Sequence, residues 1–158
     1  MADVRESIRL SDEEIRIFVE ASKTVIVGTN NHDGVPHLVP MWFAVIDGLV
    51  HMHTYRRSQK VVNLARDNRG SLLVEDGHRY DELRGVFMRG RYDIVDDQEL
   101  CFRIGLMSAA KYSGMGEEEA APFVRSSVRK RVALVFHPEK IASWDHRKLA
   151  EAGGSYGP

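Results

Sequence analysis

The feature that most constrains this chain is a series of three β-rich runs, joined by tight turns, between residues 24 and 54. Thr24 to Asn30 is rich in β-branched residues, and the turn signal Asn31-His32-Asp33-Gly34 follows it. A second run from His37 to Val45 ends at Ile46-Asp47-Gly48, and a third run covers Leu49 to Thr54. Because such short loops reverse the chain between neighbouring strands, the segment predicts an antiparallel meander.

The rest of the chain adds helices and further strands. The capping box Ser11-Asp12-Glu13-Glu14 predicts the start of a first helix. The later predicted elements are a helix from Ser58 to about Asp67, strands over 71–75 and 83–95, two helical stretches between 98 and 130, and strands over 132–136 and 140–144. Gly85 and Gly90 predict bulges or bends, as closure of a barrel requires. The order predicts a mainly β (α+β) fold, a small antiparallel barrel of about six to seven strands with peripheral helices.

The composition fits one soluble domain. The 158 residues are 43% hydrophobic and carry a net charge of −1, so no strong field recruits nucleic acid or a membrane surface. Without repeats or linkers, the chain predicts a single domain over 1–158, with a core over 10–150 and a mobile tail over 151–158. It shows no apolar run of membrane-spanning length and no signal-peptide pattern, so we expect a cytoplasmic protein. Cys101, the only cysteine, excludes an internal disulfide and predicts a packed side chain.

The strongest candidate for chemistry is the segment from Thr54 to Leu64. Arg56, Arg57, Ser58 and Lys60 lie within five residues of one another, between a strand end and a helix start. Cationic side chains and the free N–H groups of a helix start are common ligands of phosphate. The segment therefore predicts a clamp for a phosphorylated cofactor, although taken alone a short basic run is about as often only a solvated helix start.

Five short motifs follow one another in a characteristic order over residues 12–150. They are Asp33-Gly34-x-Pro36-His37-Leu38-Val39-Pro40-Met41-Trp42-Phe43, Ser58-Gln59-Lys60-x-x-Asn63-Leu64-x-Arg66-Asp67, Glu75-Asp76-Gly77, Tyr80-Asp81-x-Leu83-Arg84-Gly85-Val86 and Ser143-Trp144-Asp145-His146-Arg147-Lys148-Leu149. In this order they resemble the flavin/deazaflavin oxidoreductases, specifically their B group, within the pyridoxamine-phosphate-oxidase-like split β-barrel superfamily. The joint order is more specific than any one motif.

The resemblance implies a split β-barrel that forms a homodimer, with two cofactor sites at the subunit seam. Members of the family bind FMN, coenzyme F-420, FAD or, in some branches, haem. The Ser58-Gln59-Lys60 motif and the ending Ser143 to Arg147 favour coenzyme F-420. Its phosphodiester and polyglutamate tail suit a broad cationic entrance. The expected partners are a second copy of the chain and a small-molecule acceptor, with no nucleic acid and no membrane.

The resemblance also implies which residues hold the cofactor. They are Arg56, Arg57, Ser58, Gln59 and Lys60 for the phosphate and the tail carboxylates; Pro40, Met41 and Trp42 on the strand beneath the tricyclic ring; and Trp144 and Arg147, expected to reach the site from the partner subunit. Hydride transfer requires no nucleophile, only a cofactor held against its acceptor in a dry pocket. For a proton donor, Tyr80, His37 and water remain open.

The leading functional hypothesis is an F-420-dependent oxidoreductase. It would transfer a hydride from the reduced deazaflavin to an electron-poor acceptor such as an activated C=C bond or a quinone. One alternative is an FMN-dependent oxidase or reductase of the same class. A non-enzymatic alternative is a cofactor or tetrapyrrole carrier with His51 or His146 as haem ligand. His51 and His53 share a strand face but lack a clear third ligand, so no metal site is expected.

Overall fold

The computed structural model describes residues 4–151, which contain six helices, seven strands and one 3-10 turn. The helices are α1 (Val4–Ser7), α2 (Asp12–Ala21), α3 (Gln59–Arg66), α4 (Gln98–Ser113), α5 (Glu117–Val128) and α6 (Lys148–Glu151), and the 3-10 turn covers Tyr80–Glu82. The strands are β1 (Thr24–Asn30), β2 (Pro36–Trp42), β3 (Ala44–Ile46), β4 (Leu49–Tyr55), β5 (Arg69–Asp76), β6 (Arg84–Val95) and β7 (Arg131–Asp145). None of the described helices is long and apolar enough to cross a membrane. Beyond residue 151, the predicted mobile tail lies outside the described residues.

All seven strands belong to one antiparallel sheet with the order β2-β1-β5-β6-β7-β4-β3. The two end strands, β2 and β3, are separated in sequence only by the buried Phe43. They are therefore the two halves of one bent strand, and the sheet curls until its two ends meet there. The prediction of a mainly β antiparallel barrel with peripheral helices is confirmed.

Two predicted strand boundaries are wrong. The run from His37 to Val45 is not one strand, because Trp42 pairs with β1 while Ala44 pairs with β4. The two short strands predicted over 132–136 and 140–144 are the single strand β7, which pairs with both β4 and β6. Pro138, which has no backbone N–H, lies next to the register shift of the β6–β7 ladder, and the strand continues past it.

The two glycines of β6 serve different purposes. The pairing with β7 shifts register between Arg89 and Gly90, and a Cβ on Gly90 would lie 2.0 Å from the backbone oxygen of His137. The bulge predicted at Gly90 is therefore confirmed. A Cβ on Gly85 would instead lie 2.3 Å from Cζ2 of Trp144, so this glycine makes room for an indole ring.

Apolar side chains fill two layers. Alternate residues of the strands, such as Val25 and Val27 of β1, point into the barrel and form the larger cluster. Helices α4 and α5 cover the outside of β3 and β7 through a second cluster that includes Cys101 and Ile104. Burial raises the pKa of Cys101 to about 11, so the prediction of a packed, unreactive thiol is confirmed.

Candidate functional site

Helix α3 lies across one end of the barrel and fixes the position of the candidate anion site. Val61 and Leu64 pack into the barrel core. The side-chain amide of Asn63, which is fully buried, donates to Thr29 Oγ1 at 3.0 Å and to Asn31 Oδ1 at 2.9 Å. These two bonds attach the helix to the end of β1, so its N-terminus is held in a defined place at the barrel end.

The start of α3 keeps its first N–H groups free of a side-chain cap. Ser58 occupies the N-cap position, but its hydroxyl makes no cap bond and lies 3.3 Å from Thr54 Oγ1. The backbone N–H of Ser58 donates to the carbonyl of Tyr55 at 3.0 Å and closes the turn after β4. Free N–H groups and the positive end of a helix dipole favour an anion at this point.

Lys60 lies at this helix start and is buried, with only 8% of its surface exposed. Its Nζ donates to Thr54 Oγ1 at 3.0 Å. Within residues 4–151 no carboxylate lies at ion-pair distance from Lys60. Burial lowers the pKa of Lys60, and the nearby Arg131 guanidinium lowers it further. One hydroxyl does not offset the cost of burying an ammonium group, so a bound anion would stabilise it.

Arg131 is a second cation at this site, and the sequence analysis missed it. It is the first residue of β7, and its guanidinium lies 4.5 Å from the centre of the Tyr55 ring. Its Nε donates to the carbonyl of Ser127 at 3.2 Å. Nothing in the local sequence marks this arginine, because only the pairing of β7 with β4 brings it beside Lys60, more than 70 positions away along the chain.

The other predicted clamp residues differ in whether their side chains already have partners within the chain. The Arg56 guanidinium forms a two-point ion pair with Asp96, with Nη2 at 2.8 Å from Oδ1. Arg57 is exposed and makes no ion pair in the described part of the chain. Gln59 donates to the side-chain oxygen of Asn63 at 2.9 Å. Of the two predicted arginines, Arg57 is therefore the one whose charge is not already neutralised.

The strand predicted to run beneath a cofactor ring presents alternate side chains to the outside. Pro40 and Trp42 are exposed, whereas Met41 packs against the barrel core. Any contact of Met41 with a ligand would therefore come from its backbone. The Trp42 ring stacks on Tyr112 of α4, with 4.1 Å between ring centres and 15° between planes. Tyr112 covers one face of the Trp42 ring and holds it in place, so the opposite face can stack against a planar ligand.

A family model identifies the group of proteins to which this chain belongs. The model for pyridoxamine 5'-phosphate oxidase matches residues 11–145. The chain belongs to the pyridoxamine 5'-phosphate oxidase family. Its split β-barrel, predicted from the motif order, is confirmed by this match and by the solved structures to which the chain is similar.

Three solved structures illustrate the likeness. The conserved hypothetical protein Rv2991 from Mycobacterium tuberculosis is 42% identical with a TM-score of 0.88, over 99% of this chain and 98% of that chain. An F420 reductase is 23% identical with a TM-score of 0.64, over 80% and 94% of the two chains. HutZ, the heme storage protein from Vibrio cholerae, is 13% identical with a TM-score of 0.63, over 84% and 94%. The last two likenesses show the fold alone, and a search of curated proteins gave no match.

Within one chain, the split barrel does not bring Trp144 and Arg147 to the anion site. Arg131 begins β7 and Asp145 ends it, so the two groups belong to opposite ends of a 15-residue strand. Trp144 packs over Gly85, and the Arg147 guanidinium pairs with the buried Asp145, with Nε at 2.8 Å from Oδ1. The expected role of Trp144 and Arg147 in the partner subunit's site stays a prediction.

The two candidate proton donors also lie apart. The Tyr80 ring is exposed and contacts the His146 ring at 4.7 Å between centres, while the carbonyl of Tyr80 lies 2.8 Å from His146 Nδ1. His37 lies opposite Thr29 in the β1–β2 pairing, at the barrel end that α3 covers. Its Nδ1 is buried and has no hydrogen-bond partner among residues 4–151. His37 is therefore the donor candidate nearer to α3.

The paired histidines of β4 are packed side chains. His51 is buried, and its Nδ1 lies 2.9 Å from the carbonyl of Leu49. Burial, together with the charge of Arg131, lowers the pKa of His53 to about 4. In the described part of the chain, no group of three or more His, Cys, Asp or Glu residues is arranged to hold a metal ion.

Proposed function

We propose that this protein is a coenzyme F-420-dependent oxidoreductase of the flavin/deazaflavin B group. It would transfer a hydride from the reduced deazaflavin to an electron-poor acceptor such as an activated C=C bond or a quinone. The observation that carries the proposal is the anion site at the start of α3. There the buried Lys60 has a hydroxyl partner but no carboxylate partner within the described residues.

A phosphodiester at this site would stabilise two cationic side chains, Lys60 and Arg131, whose charges no carboxylate in residues 4–151 neutralises. Burial and the charge of Arg131 both disfavour the Lys60 ammonium, and an anion between the two cations reverses that effect. Lys60 Nζ, the hydroxyls of Thr54 and Ser58, and the N–H groups of the first turn of α3 are the available donors. Each hydrogen bond to a charged group is worth about 1.5–3 kcal/mol.

The surplus of positive charge favours a cofactor with more than one anionic group. Arg57 is exposed and Arg131 pairs with no carboxylate in residues 4–151, so both remain for the tail carboxylates of coenzyme F-420. Arg56 is less suited, because Asp96 already neutralises it. FMN has a single phosphate and needs fewer cations than the site offers, which leaves the FMN-dependent enzyme as the second candidate.

The ring of the cofactor would lie along β2. Coenzyme F-420, when bound, supplies the hydride, and the protein has to hold its planar ring and keep water away. Trp42, stacked on Tyr112, and Pro40 provide an apolar surface for a flat ring. Since β2 is an end strand of the sheet, its outward backbone groups are free to bond the polar edge of the ring.

The proposal includes a homodimer, for which the outer face of the sheet offers a surface. Five apolar residues are direct cross-strand neighbours there, in the order Pro40, Ile26, Leu73, Phe87 and Ala142. All five are partly or fully exposed in the single chain. An apolar row across a barrel wall suits a self-complementary contact between two copies. Such a contact would place the partner's residues at the cofactor seam.

Parallel titrations of the purified apoprotein test the cofactor assignment. We expect saturable quenching of F-420 fluorescence and, with the reduced coenzyme, turnover with a quinone acceptor. The Lys60→Met variant should bind about ten- to a hundredfold more weakly, whereas Lys23→Met, at an exposed lysine remote in sequence, should bind normally. Tight FMN retention without F-420 binding would overturn the assignment in favour of the flavin enzyme. Binding of haem alone would favour the carrier.

Sedimentation equilibrium tests the dimer separately. The wild type should sediment at twice the chain mass of 17.9 kDa. Ala142→Arg, in the apolar row, should give a monomer, and Ala110→Arg, on an exposed face of α4, should not. A monomeric wild type, or a dimer unaffected by Ala142→Arg, would contradict the proposed interface.

A further inference from the structure

A cavity of about 600 Å³ lies on the outer face of the sheet, beside the apolar row. One line of cross-strand neighbours crosses it from β2 to β7. In order these residues are Leu38, Gly28, Ser71, Arg89 and Lys140. The line changes from apolar at one end to cationic at the other, which is a suitable floor for a molecule that is itself part apolar and part anionic.

The cationic end of the line is not compensated within the chain. Arg89 and Lys140 are direct cross-strand neighbours, and both are exposed. Neither of them pairs with a carboxylate in residues 4–151. Like charges directly opposite each other on a sheet are destabilising. The structure therefore places two positive charges together at a point where an anion would lower the energy of both.

The carboxylates around the cavity are already engaged. Glu139 accepts from the Arg91 guanidinium, with Oε1 at 2.9 Å from Nε. Asp67 pairs with Arg69 at the rim of the cavity, with Oδ2 at 2.8 Å from Nη2. Since both carboxylates have cationic partners of their own, they do not neutralise the pair formed by Arg89 and Lys140.

Backbone irregularity and missing side chains give the cavity its shape. The β-bulge between Arg89 and Gly90 sits directly beside the cationic pair, and bulges often re-aim side chains next to binding sites. A Cβ on Gly28 would lie 2.4 Å from Ser71 Oγ and 3.3 Å from Leu38 Cδ2. The absence of a side chain at Gly28 therefore keeps the floor low between the serine hydroxyl and the leucine.

We propose that this cavity binds a small organic anion, a carboxylate or a phosphate ester that carries an apolar body. Arg89 and Lys140 hold the anionic group, and the hydroxyl of Ser71 donates to it. Leu38, at the apolar end of the line, contacts the apolar body. The site shares no residue with the anion site at the start of α3, and it does not depend on the proposed function.

Amide shifts in two-dimensional NMR spectra of the full-length protein test the proposal and locate binding. Phenyl phosphate and benzoate represent the two anion classes, and neutral benzamide is the control for charge. We expect saturable shifts of the Gly28, Gly70 and Gly90 amides with at least one anion, and at least tenfold weaker binding of benzamide. Shifts confined to residues 54–60 would assign the anion to the α3 site alone and overturn the proposal.

Two double variants with equal loss of charge complete the test. Arg89→Gln with Lys140→Gln should weaken binding at the glycine amides at least tenfold. Arg103→Gln with Arg129→Gln, at exposed positions outside the cavity, should leave binding unchanged. The proposal would be overturned if the glycine amides do not shift with either anion, whether because the cavity binds too weakly or because a second copy covers it. It would also be overturned if the amides titrate equally in the two double variants.

Discussion

Replacing Lys60 by methionine should change cofactor affinity and apoprotein stability in opposite directions. Methionine keeps an apolar chain in the space where Lys60 is 8% exposed, and it removes the buried charge. The loss of a charge-assisted contact of about 1.5–3 kcal/mol weakens cofactor binding about ten- to a hundredfold. A residue kept for ligand binding at the expense of stability is expected to show this pattern.

The stability change follows from the same contacts. The substitution removes one charge-assisted hydrogen bond to Thr54, worth about 1.5–3 kcal/mol, but Thr54 Oγ1 stays within reach of Ser58. It also removes the desolvation cost and the repulsion from Arg131 that lower the pKa of Lys60. We therefore expect the apoprotein variant to be as stable as the wild type or more stable, by up to about 2 kcal/mol.

The pH dependence gives an independent check. Below the folded-state pKa, Lys60 is charged in both states and the cost of burying it is fully present. Between that lowered pKa and the ordinary value of 10.5, the native lysine is neutral while the unfolded one still binds a proton. Wild-type stability therefore rises across this window by linkage, and the advantage of Lys60→Met shrinks.

Urea unfolding of both apoproteins at several pH values, with cofactor titrations alongside, measures these effects. A variant that binds the cofactor normally would remove Lys60 from the site. A variant that loses several kcal/mol of stability would show that Lys60 is a structural residue whose charge is compensated. A stability difference that is constant up to pH 10.5 would refute the linkage argument.

Three further predictions concern packing and protonation. Gly85→Ala should lower the free energy of unfolding by about 1–3 kcal/mol in urea titrations, because its Cβ meets the Trp144 ring. Tyr112→Leu, in a Trp144→Phe background, should shift Trp42 emission to longer wavelength and cost about 0.5–1.5 kcal/mol, because the stacked ring is lost. Since the pKa of His53 falls from 6.5 to about 4, wild-type stability should decrease as pH falls through this range, by up to about 3 kcal/mol, and less in His53→Gln.

Each of these predictions has a control or a contrary outcome. A Cβ on Gly116 meets nothing within 4 Å, so Gly116→Ala should cost only the weaker N-cap preference of alanine, about 1 kcal/mol or less. An unchanged emission maximum in Tyr112→Leu would mean that Trp42 does not depend on the stack. Equal acid sensitivity of His53→Gln and the wild type would assign the effect to other groups.

Much of the barrel could be predicted because its signals are local. The first strand was predicted with its observed bounds, Thr24–Asn30, since a β-branched run and a turn signal define it. Helix α3 was predicted to within one residue at each end. The break at Phe43 was not predicted, because a buried aromatic residue continues a strand pattern while the backbone bends between two partners.

The candidate site was predicted only in part, because the contacts of its side chains come from residues distant in the sequence. The run from Arg56 to Lys60 is visible in the sequence, and it does lie at a helix start beside a strand end. Its chemistry depends on surroundings that the sequence does not show. Asp96 neutralises Arg56 from a loop 40 positions away, and burial makes Lys60 the cation without a carboxylate partner in the described chain.

The sequence by itself determined most of the strand and helix order, the family and the basic segment at the start of α3, because turn chemistry, side-chain period and motif order are properties of neighbouring residues. The tertiary structure decided which charges meet. Pairing of β7 with β4 brings Arg131 to Lys60, and pairing of β7 with β6 across a bulge brings Lys140 to Arg89. Electrostatic energy depends on distance and on burial, and both are fixed only when the sheet closes.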